Sequence, residues 1–443
     1  MNYVIIGGDA AGMSAAMQIV RRDKEARVTT LEMGGIYSYA QCGLPYYIGG
    51  LTPDSESLIA RSRDTFEEEY GIDARVYHQV TEIDPDSKTV RGTNLKTDEP
   101  FELSYDKCLI ATGAAPVMPP IEGKELDGIH TLKTIPDAER ILEDMKANVL
   151  NVTIIGGGYI GLELAENLVE KKKKVRIIDH ADRLGSGYDK EISAEIEKEA
   201  KRMGIEVCTG QTVERFSGDG RVSEVVTDQD SYRADMVVVA AGVTPNTGMI
   251  DRSRVHTLDN GAIIVNAYME TNMPDLYAAG DCATQYHRIK EKNDYQPLGT
   301  HANKQGRIAG MNMCGAAQAF QGIVGTSIMK FFDLTVGKTG LGEQEADEMN
   351  FTCDCDAFEG HSHAGYYPDN EPLLLKVVSH KVTGHFLGLQ AVGRRGVDKR
   401  IDVAATALYH RMTMSDIENL DLSYAPPYNG VWDPLQQASR RVK

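Results

Sequence analysis

Residues 151–179, NVTIIGGGYIGLELAENLVEKKKKVRIID, decide the fold. The apolar run before the glycines predicts a strand, the stretch after them predicts a helix, and the closing VRIID predicts a second strand. Gly156, Gly158 and Gly161 have the complete G-x-G-x-x-G spacing, and Asp179 follows the last of them by 18 residues. Such a unit holds a pyrophosphate at the helix N-terminus and an adenosine ribose at the acid. The segment therefore predicts a dinucleotide-binding α/β unit.

The same pattern occurs earlier in the chain, over residues 3–32. YVII predicts a strand, GGDAAG a turn, MSAAMQIVRR a helix and ARVTTLE a second strand, which ends in Glu32, 20 residues past Gly12. One position departs from the pattern, because Asp9 stands where the middle glycine is expected. Two such units in one chain indicate two dinucleotides, as in a flavoprotein that takes hydride from NAD(P)H.

Three further segments fit a flavin-binding fold. LIATGAAP at 109–116 and VVAAGVTPN at 238–246 predict strands that break at small residues, where the chain can pass between domains. LYAAGDCA at 276–283 places Asp281 after a strand and a glycine, where a carboxylate can bind ribityl hydroxyls. The helix predicted from HANKQGRIAGMN can direct its N-terminal dipole at the flavin ring.

Composition narrows the class of protein. The chain has 443 residues, 42% of them hydrophobic and 25% charged, which predicts a globular protein of several domains. A net charge of −18 without a long basic stretch disfavours nucleic acid and anionic membranes as partners. The apolar runs are far shorter than the roughly 20 residues that cross a bilayer. With no recognisable signal peptide and seven cysteines but no CxxC, we expect a cytoplasmic protein without a metal site.

One cysteine stands apart. Cys42 lies in SYAQCGLPYY (residues 38–47), and the next cysteine in the chain is Cys108. A disulfide pair within the local motif is therefore excluded. A lone thiolate beside a flavin can attack a disulfide or a peroxide and be regenerated by the reduced flavin.

The order of motifs GGxAAG, cysteine, ATG, GGGYIG, AAGxxPN and AAGD resembles the pyridine nucleotide-disulfide oxidoreductase superfamily over essentially the whole chain. The resemblance implies an α/β fold: two Rossmann-like domains for FAD and NAD(P), and a C-terminal α+β dimerisation domain. It places the FAD domain at 1–113 and 245–323, the NAD(P) domain at 114–244, and the dimerisation domain of a homodimer at 324–443. In this family the C-terminal domain of one subunit closes the active site of the other.

The resemblance also implies cofactor-binding residues. Tyr159 would gate the nicotinamide pocket, and Glu163 would orient the nicotinamide. The full set is Gly7, Gly8, Ala11, Gly12, Glu32, Ala111, Thr112, Gly113 and Asp281 for FAD, with Gly156, Gly158, Tyr159, Ile160, Gly161, Glu163 and Asp179 for NAD(P). Asp179 favours NADH, but His180 and Arg183 follow closely, so we expect use of both nucleotides without an overwhelming preference.

The single-cysteine motif resembles coenzyme A-disulfide reductases, CoA persulfide or polysulfide reductases, and NADH oxidases and peroxidases. The oxidases and peroxidases usually carry a histidine where this chain has Ala10, which disfavours peroxide chemistry. YAPPY and HAGYYPD resemble tyrosine-bearing segments of the CoA-disulfide reductases, which implies Tyr424 and Tyr366 as catalytic residues beside Cys42. Packing in the dimer interface is the other interpretation of these tyrosines, and Tyr367 is the alternative to Tyr366. Positions that match CoA contacts are Ser14, Gln18, Arg21, Ser38, Gln41, Asn303, Tyr366 or Tyr367, and Trp432.

The sequence thus predicts reduction of CoA disulfide by NAD(P)H, through FAD and a Cys42–CoA mixed disulfide. The alternatives are a CoA persulfide or polysulfide reductase, an NADH oxidase, and a redox-sensing flavoprotein.

Overall fold

The computed structural model describes residues 1–442, which form two compact units. The first unit comprises residues 1–116, 243–287 and 291–323, and the second comprises 117–242, 288–290 and 324–442. The strands are β1 Asn2–Ile6, β2 Arg27–Leu31, β3 Asp73–Arg75, β4 His78–Asp84, β5 Thr89–Asn94, β6 Glu99–Ser104, β7 Lys107–Ile110, β8 Ala114–Pro116, β9 Ile129–Thr131, β10 Asn151–Ile155, β11 Lys174–Asp179, β12 Glu206–Thr209, β13 Val213–Asp219, β14 Arg221–Thr227, β15 Ser231–Arg233, β16 Met236–Val239, β17 Val243–Pro245, β18 Leu276–Ala278, β19 Gln285–His287, β20 Lys292–Asp294, β21 Ser327–Phe331, β22 Leu334–Gly340, β23 Cys353–His361, β24 Pro372–His380 and β25 Phe386–Gly393.

Helices cover the sheets and connect many of the strands. They are α1 Ala10–Arg22, α2 Leu44–Gly49, α3 Arg63–Tyr70, α4 Ile135–Asp144, α5 Tyr159–Glu170, α6 Lys190–Arg202, α7 Gly299–Met313, α8 Glu343–Glu348, α9 Val397–Tyr409, α10 Met414–Glu418 and α11 Pro434–Ser439. Short 3₁₀ turns occur at Gln41–Gly43 and Glu56–Leu58. Within residues 1–442, no helix combines the length and the apolar character that crossing a bilayer requires.

The first unit is built on a parallel sheet of order β18-β7-β1-β2-β3. Its central strands are apolar and buried, as expected for a parallel sheet covered on both faces. Helix α7 packs closely on α1, because Gly306 and Gly310 face the α1 backbone: a Cβ on Gly306 would lie 2.1 Å from the oxygen of Ala11. The first glycine turn, at the end of β1, leads directly into α1.

The second unit repeats this plan in residues 117–242, called here the inserted segment. Its parallel sheet has the order β12-β11-β10-β16-β9. The strands β13, β14 and β15, which come between β12 and β16 in the chain, form a separate antiparallel sheet. Residues 324–442, the C-terminal segment, form an antiparallel sheet of order β21-β22-β25-β24-β23 with α9 packed against it. The predicted class, two Rossmann-like folds and a C-terminal α+β part, is confirmed. The three-domain boundaries stay a prediction.

Polar contacts join the inserted and C-terminal segments. Glu166 of α5 is 7% exposed, accepts from the backbone N–H of Phe332 at 2.9 Å and pairs with Lys330. Lys376, 6% exposed, pairs with Glu191 at 3.1 Å and with Glu343 at 2.7 Å. Burial by itself lowers the pKa of Lys376, but the two carboxylates outweigh that effect and hold the pKa above its usual value. Charged side chains of the inserted segment therefore find ion-pair and hydrogen-bond partners in the C-terminal segment.

Candidate active site

The first glycine turn has the geometry of a phosphate-binding turn. Gly7 has φ +116°, and a Cβ there would lie 2.1 Å from the oxygen of Ala111. A Cβ on Gly12 would lie 2.0 Å from the oxygen of Gly7, so helix and strand approach each other as closely as backbones can. Glu32 closes the turn, accepting from the N–H groups of Gly8 at 2.8 Å and Gly34 at 2.7 Å. Burial raises the pKa of Glu32.

The segments predicted for the flavin meet this turn within the first unit. Gly280, at φ +83°, places the Asp281 turn against α1, since a Cβ on Gly280 would lie 2.9 Å from the Cβ of Ala11. Thr112, between Ala111 and Gly113, donates from Oγ1 to the oxygen of Asn246 at 2.5 Å, and Asn246 Nδ2 donates back at 3.0 Å. Three features of this site fit FAD: the glycine turn, the partly buried Glu32 after the second strand, and the Asp281 turn against α1.

The second glycine turn repeats the design. Gly156 has φ +109°, and a Cβ on Gly161 would lie 2.0 Å from the oxygen of Gly156. Asp179 accepts from the N–H of Gly157 at 2.6 Å, as Glu32 accepts from Gly8. Gly158 precedes the first helical residue, and Tyr159, Ile160 and Glu163 occupy the first turns of α5, where Tyr159 is 46% exposed. The turn fits a second dinucleotide.

Cys42 lies exposed in the 3₁₀ turn before α2. The segment leading into it is held by Asp9, whose carboxylate accepts from the N–H of Tyr39 at 3.2 Å and from Nε2 of Gln41 at 2.7 Å. Burial, with a contribution from the charge of Glu32, raises the pKa of Asp9 to about 6 against the opposing effect of these hydrogen bonds. The sequence marked Asp9 only as a departure from the glycine pattern, and gave no signal for its contact with Gln41.

The other cysteines of residues 1–442 are buried or partly buried. Cys108 and Cys282 in the first unit are fully buried, and burial raises the pKa of both thiols. Burial also raises the pKa of the partly buried Cys314. Cys42 is therefore the thiol of the described chain most accessible to a substrate.

Six predicted substrate residues lie in the first unit. Ser14, Gln18 and Arg21 follow one face of α1 at helical spacing. Asn303 on α7 joins them, because Ser14 Oγ donates to its Oδ1 at 3.0 Å. The other two, Ser38 and Gln41, flank the approach to Cys42; the N–H of Ser38 donates to the oxygen of Gly8 at 2.9 Å.

The predicted tyrosines lie in the C-terminal segment, in the second unit. The hydroxyls of Tyr366 and Tyr424 are 3.3 Å apart, and the rings are 76% and 48% exposed. The hydrogen bond with Tyr424 raises the pKa of Tyr366. Tyr367 instead packs its ring edgewise on His363, at 5.7 Å between centroids. Trp432 stacks on Arg440, whose Cζ lies 3.7 Å from the ring centroid.

Two dinucleotide folds and one exposed thiol define a nucleotide-dependent redox enzyme. Residues 1–306 match the family described as pyridine nucleotide-disulphide oxidoreductase, and residues 326–434 match its dimerisation domain. The chain belongs to the pyridine nucleotide-disulphide oxidoreductase family and is a flavin-dependent NAD(P)H oxidoreductase.

Similar proteins carry three activities in their names. The chain is 38% identical over 443 residues to an NAD(P)H coenzyme A polysulfide/persulfide reductase of Pyrococcus horikoshii, covering 99% of this chain and 98% of that one. It is 32% identical to a coenzyme A disulfide reductase of Staphylococcus aureus, covering 99% of both. A solved structure of a water-forming NADH oxidase from Lactobacillus brevis superposes with a TM-score of 0.96 at 29% identity, covering 100% of this chain and 98% of that one.

Proposed function

We propose that this protein is a homodimer that reduces CoA disulfide to two CoA thiols with NAD(P)H. The observation that carries the proposal is the exposure of Cys42, combined with the burial of Cys108 and Cys282. An exposed thiol with no cysteine in reach along its own motif takes its disulfide partner from the substrate.

The cofactor sites follow from the two turns. The first turn, with Glu32 and Asp281, holds FAD, and the second, with Asp179, holds NAD(P)H. Tyr159 and Glu163, in the first turns of α5, contact the nicotinamide. Bound FAD would supply two-electron redox chemistry between NAD(P)H and a disulfide.

Cys42 performs the thiol chemistry. Its thiolate attacks one sulfur of CoA disulfide, so that a Cys42–CoA bond forms, the substrate S–S bond breaks and one CoA leaves as a thiolate. Two electrons from NAD(P)H then break the Cys42–CoA bond, which releases the second CoA and restores the Cys42 thiolate. One NAD(P)H and one proton are consumed for each two CoA thiols.

CoA has phosphates, an adenine and a pantetheine arm. Arg21 and the adjacent Arg22 are exposed cations on a chain of net charge −18, suited to the phosphates. Ser14, two helical turns from Arg21 on α1, and Asn303, which is hydrogen-bonded to Ser14, offer further polar groups. Trp432 of the partner subunit's C-terminal domain would offer a flat apolar surface.

Tyr366 and Tyr424 assist the leaving sulfur. A protonated phenol stabilises a departing thiolate by donating a hydrogen bond to it. The two hydroxyls lie 3.3 Å apart, so both are placed to act on a single leaving sulfur. The alternative is that these tyrosines pack in the dimer interface, and the exposure of both rings in the single chain, 76% and 48%, is compatible with either role.

A CoA persulfide or polysulfide is the second candidate substrate. The observation that favours it is the higher identity to the Pyrococcus horikoshii relative than to the Staphylococcus aureus one. The same Cys42 chemistry serves a persulfide, with sulfide as the second product. Peroxide or oxygen chemistry is disfavoured by Ala10, which has no proton to donate.

The test is a substrate comparison with the purified flavoprotein. Turnover with CoA disulfide, CoA persulfide and oxygen is measured with saturating NADH or NADPH, in wild type, Cys42→Ser and the control Cys314→Ser. We expect CoA disulfide to give the highest kcat/KM, Cys42→Ser to lose it while retaining FAD, and Cys314→Ser to behave as wild type. Mass spectrometry of untreated wild type should show CoA on Cys42, removable by reductant. Near wild-type turnover in Cys42→Ser would overturn the mechanism, and slow NADH consumption with every substrate would indicate a redox sensor.

A further inference from the structure

A buried ion pair lies beneath the two tyrosine-bearing segments. Arg400 on α9 and Asp433, which precedes α11, are each 1% exposed, and their charged atoms are 3.0 Å apart. Arg400 Nε also donates to Asp433 at 3.1 Å, and its Nη1 donates to the oxygen of Gly396 at 2.9 Å. Among the described residues, Arg400 has the largest of the fully buried side chains.

The remaining donors of Arg400 reach both tyrosine segments. Its Nη2 donates to the backbone oxygen of Ser362 at 3.1 Å and to Oδ1 of Asn429 at 3.0 Å. Ser362 opens the segment that carries Tyr366. Asn429, 1% exposed, passes the connection on, since its Nδ2 donates to the oxygen of Ser423 at 3.2 Å. Ser423 is the residue before Tyr424.

The segments have other anchors as well. The ring nitrogens of His363 contact Ser362 Oγ and the oxygen of Pro368, both at 2.9 Å, and Lys399 Nζ donates to the oxygen of Tyr428 at 3.2 Å. The N–H of Ala364 donates to the oxygen of Pro426 at 3.3 Å, and the N–H of Glu371 donates to Ser362 Oγ at 3.1 Å. The ring of Tyr366 is 76% exposed, so packing of the ring does not fix its place. The 3.3 Å between the two hydroxyls is longer than the usual 2.5–3.0 Å of an O–H···O bond, so a small shift of either segment separates them.

We propose that Arg400, acting through Ser362 and Asn429, positions the hydroxyls of Tyr366 and Tyr424 for the leaving CoA sulfur. This inference rests on the proposed function of the two tyrosines. Burying a charged pair contributes little net stability, and an apolar pair of similar volume is often as stable or more so. What the planar guanidinium adds is a set of directed donors, which an apolar side chain lacks. Arg400 and Asn429 are positioning residues, remote from the reacting atoms.

The test removes one arm of this network. Asn429→Asp keeps an oxygen for Arg400 but replaces the Nδ2 donor by an oxygen that faces the carbonyl of Ser423. Asn419→Asp is the matched control, because Asn419 Nδ2 also donates to a backbone oxygen, that of Ser415 at 2.8 Å, in a part of the same segment without tyrosines. We expect Asn429→Asp to lower kcat for CoA disulfide at least fivefold with unchanged flavin reduction by NAD(P)H, and Asn419→Asp to match wild type.

A double-mutant cycle separates positioning from general damage. If Asn429 acts through Tyr424, adding Asn429→Asp to the Tyr424→Phe variant should not lower kcat for CoA disulfide any further. Two outcomes would overturn the inference: losses of kcat that multiply in the double variant, or an equal loss in the rate of flavin reduction. A slow Tyr424→Phe beside a normal Asn429→Asp would overturn it while leaving the proposed function intact, whereas a normal Tyr424→Phe would overturn the tyrosine role itself. Should Asn429→Asp fail to fold, Asn429→Ser removes the same donor while leaving a hydroxyl for Arg400, and the same outcomes apply.

Discussion

Asp9→Asn should stabilise the protein at neutral and alkaline pH. Burial in the first glycine turn raises the pKa of Asp9 from 3.8 to about 6. The folded state therefore holds a proton on Asp9 between about pH 4 and pH 6 that the unfolded state has released. Above pH 6 the folded protein carries a charge that its surroundings disfavour by up to about 3 kcal/mol. This figure is the difference between the folded and unfolded pKa values of Asp9, with each unit worth about 1.4 kcal/mol. Asparagine has the same shape and never carries this charge; its single oxygen keeps one of the two hydrogen bonds, and the Gln41 amide has to turn its oxygen toward Nδ2 to keep the other.

The sign and the pH window make the prediction specific. Stability from neutral Asp9 is complete below pH 4 and is lost as the pH rises through about 6, so the advantage of Asp9→Asn should be small at pH 4 and greatest at pH 8. At 2–4 °C per kcal/mol for a domain of this size, the midpoint of thermal unfolding should rise by roughly 6–12 °C at pH 8. The assay is calorimetry of both proteins at several pH values, with the exposed turn residue Asp259→Asn as control. A midpoint difference that does not change between pH 4 and pH 8, or a destabilised variant at pH 8, would refute the reasoning.

Three further predictions concern the reaction. Tyr366→Phe with Tyr424→Phe should slow CoA disulfide turnover at least tenfold, about 1.4 kcal/mol, without slowing flavin reduction in stopped-flow; unchanged turnover would assign the rings to packing. Wild type should have kcat/KM values for NADH and NADPH within about a thousandfold of each other. Asp179→Ser should move their ratio toward NADPH by about tenfold or more, because the carboxylate repels a 2′-phosphate. An unchanged ratio in steady-state kinetics would contradict this prediction. The purified protein should absorb visible light as a flavoprotein with one FAD per chain, and a colourless protein that gains no absorbance with FAD would contradict the cofactor assignment.

The parts of the fold that are local in sequence could be predicted from it. Each glycine turn, its preceding strand and its following helix lie within about 30 residues, and the turn chemistry needs glycine where φ is positive, as at Gly7 and Gly156. The acids Glu32 and Asp179 were predicted from spacing, and both contact the turns. The family, and with it the C-terminal fold, followed from the order of motifs along the chain.

Contacts between distant residues could not be predicted in this way. Asp9 and Gln41 are 32 residues apart, and no periodic pattern relates them. Arg400 meets Ser362 and Asn429 only because α9 and two irregular segments pack together, and irregular segments have no repeat from which side-chain direction can be inferred. The choice between Tyr366 and Tyr367 also depends on such a segment; Tyr366 contacts Tyr424, but which of the two serves the active site stays a prediction.

The polar contacts between the inserted and C-terminal segments limit how this enzyme can exchange parts with its relatives. A recombination event that replaced residues 117–242 alone would remove the carboxylates Glu166 and Glu191, and would leave Glu343 as the remaining ion-pair partner of the buried Lys376. Lys376 keeps Glu343 at 2.7 Å and Glu191 is partly exposed, so this loss is smaller than the about 3–5 kcal/mol of breaking an isolated buried ion pair. We expect viable chimeras to exchange residues 117–242 and 324–443 together. New coenzyme preferences should then arise in such a lineage by single substitutions near Asp179 more readily than by transfer of a whole nucleotide-binding segment.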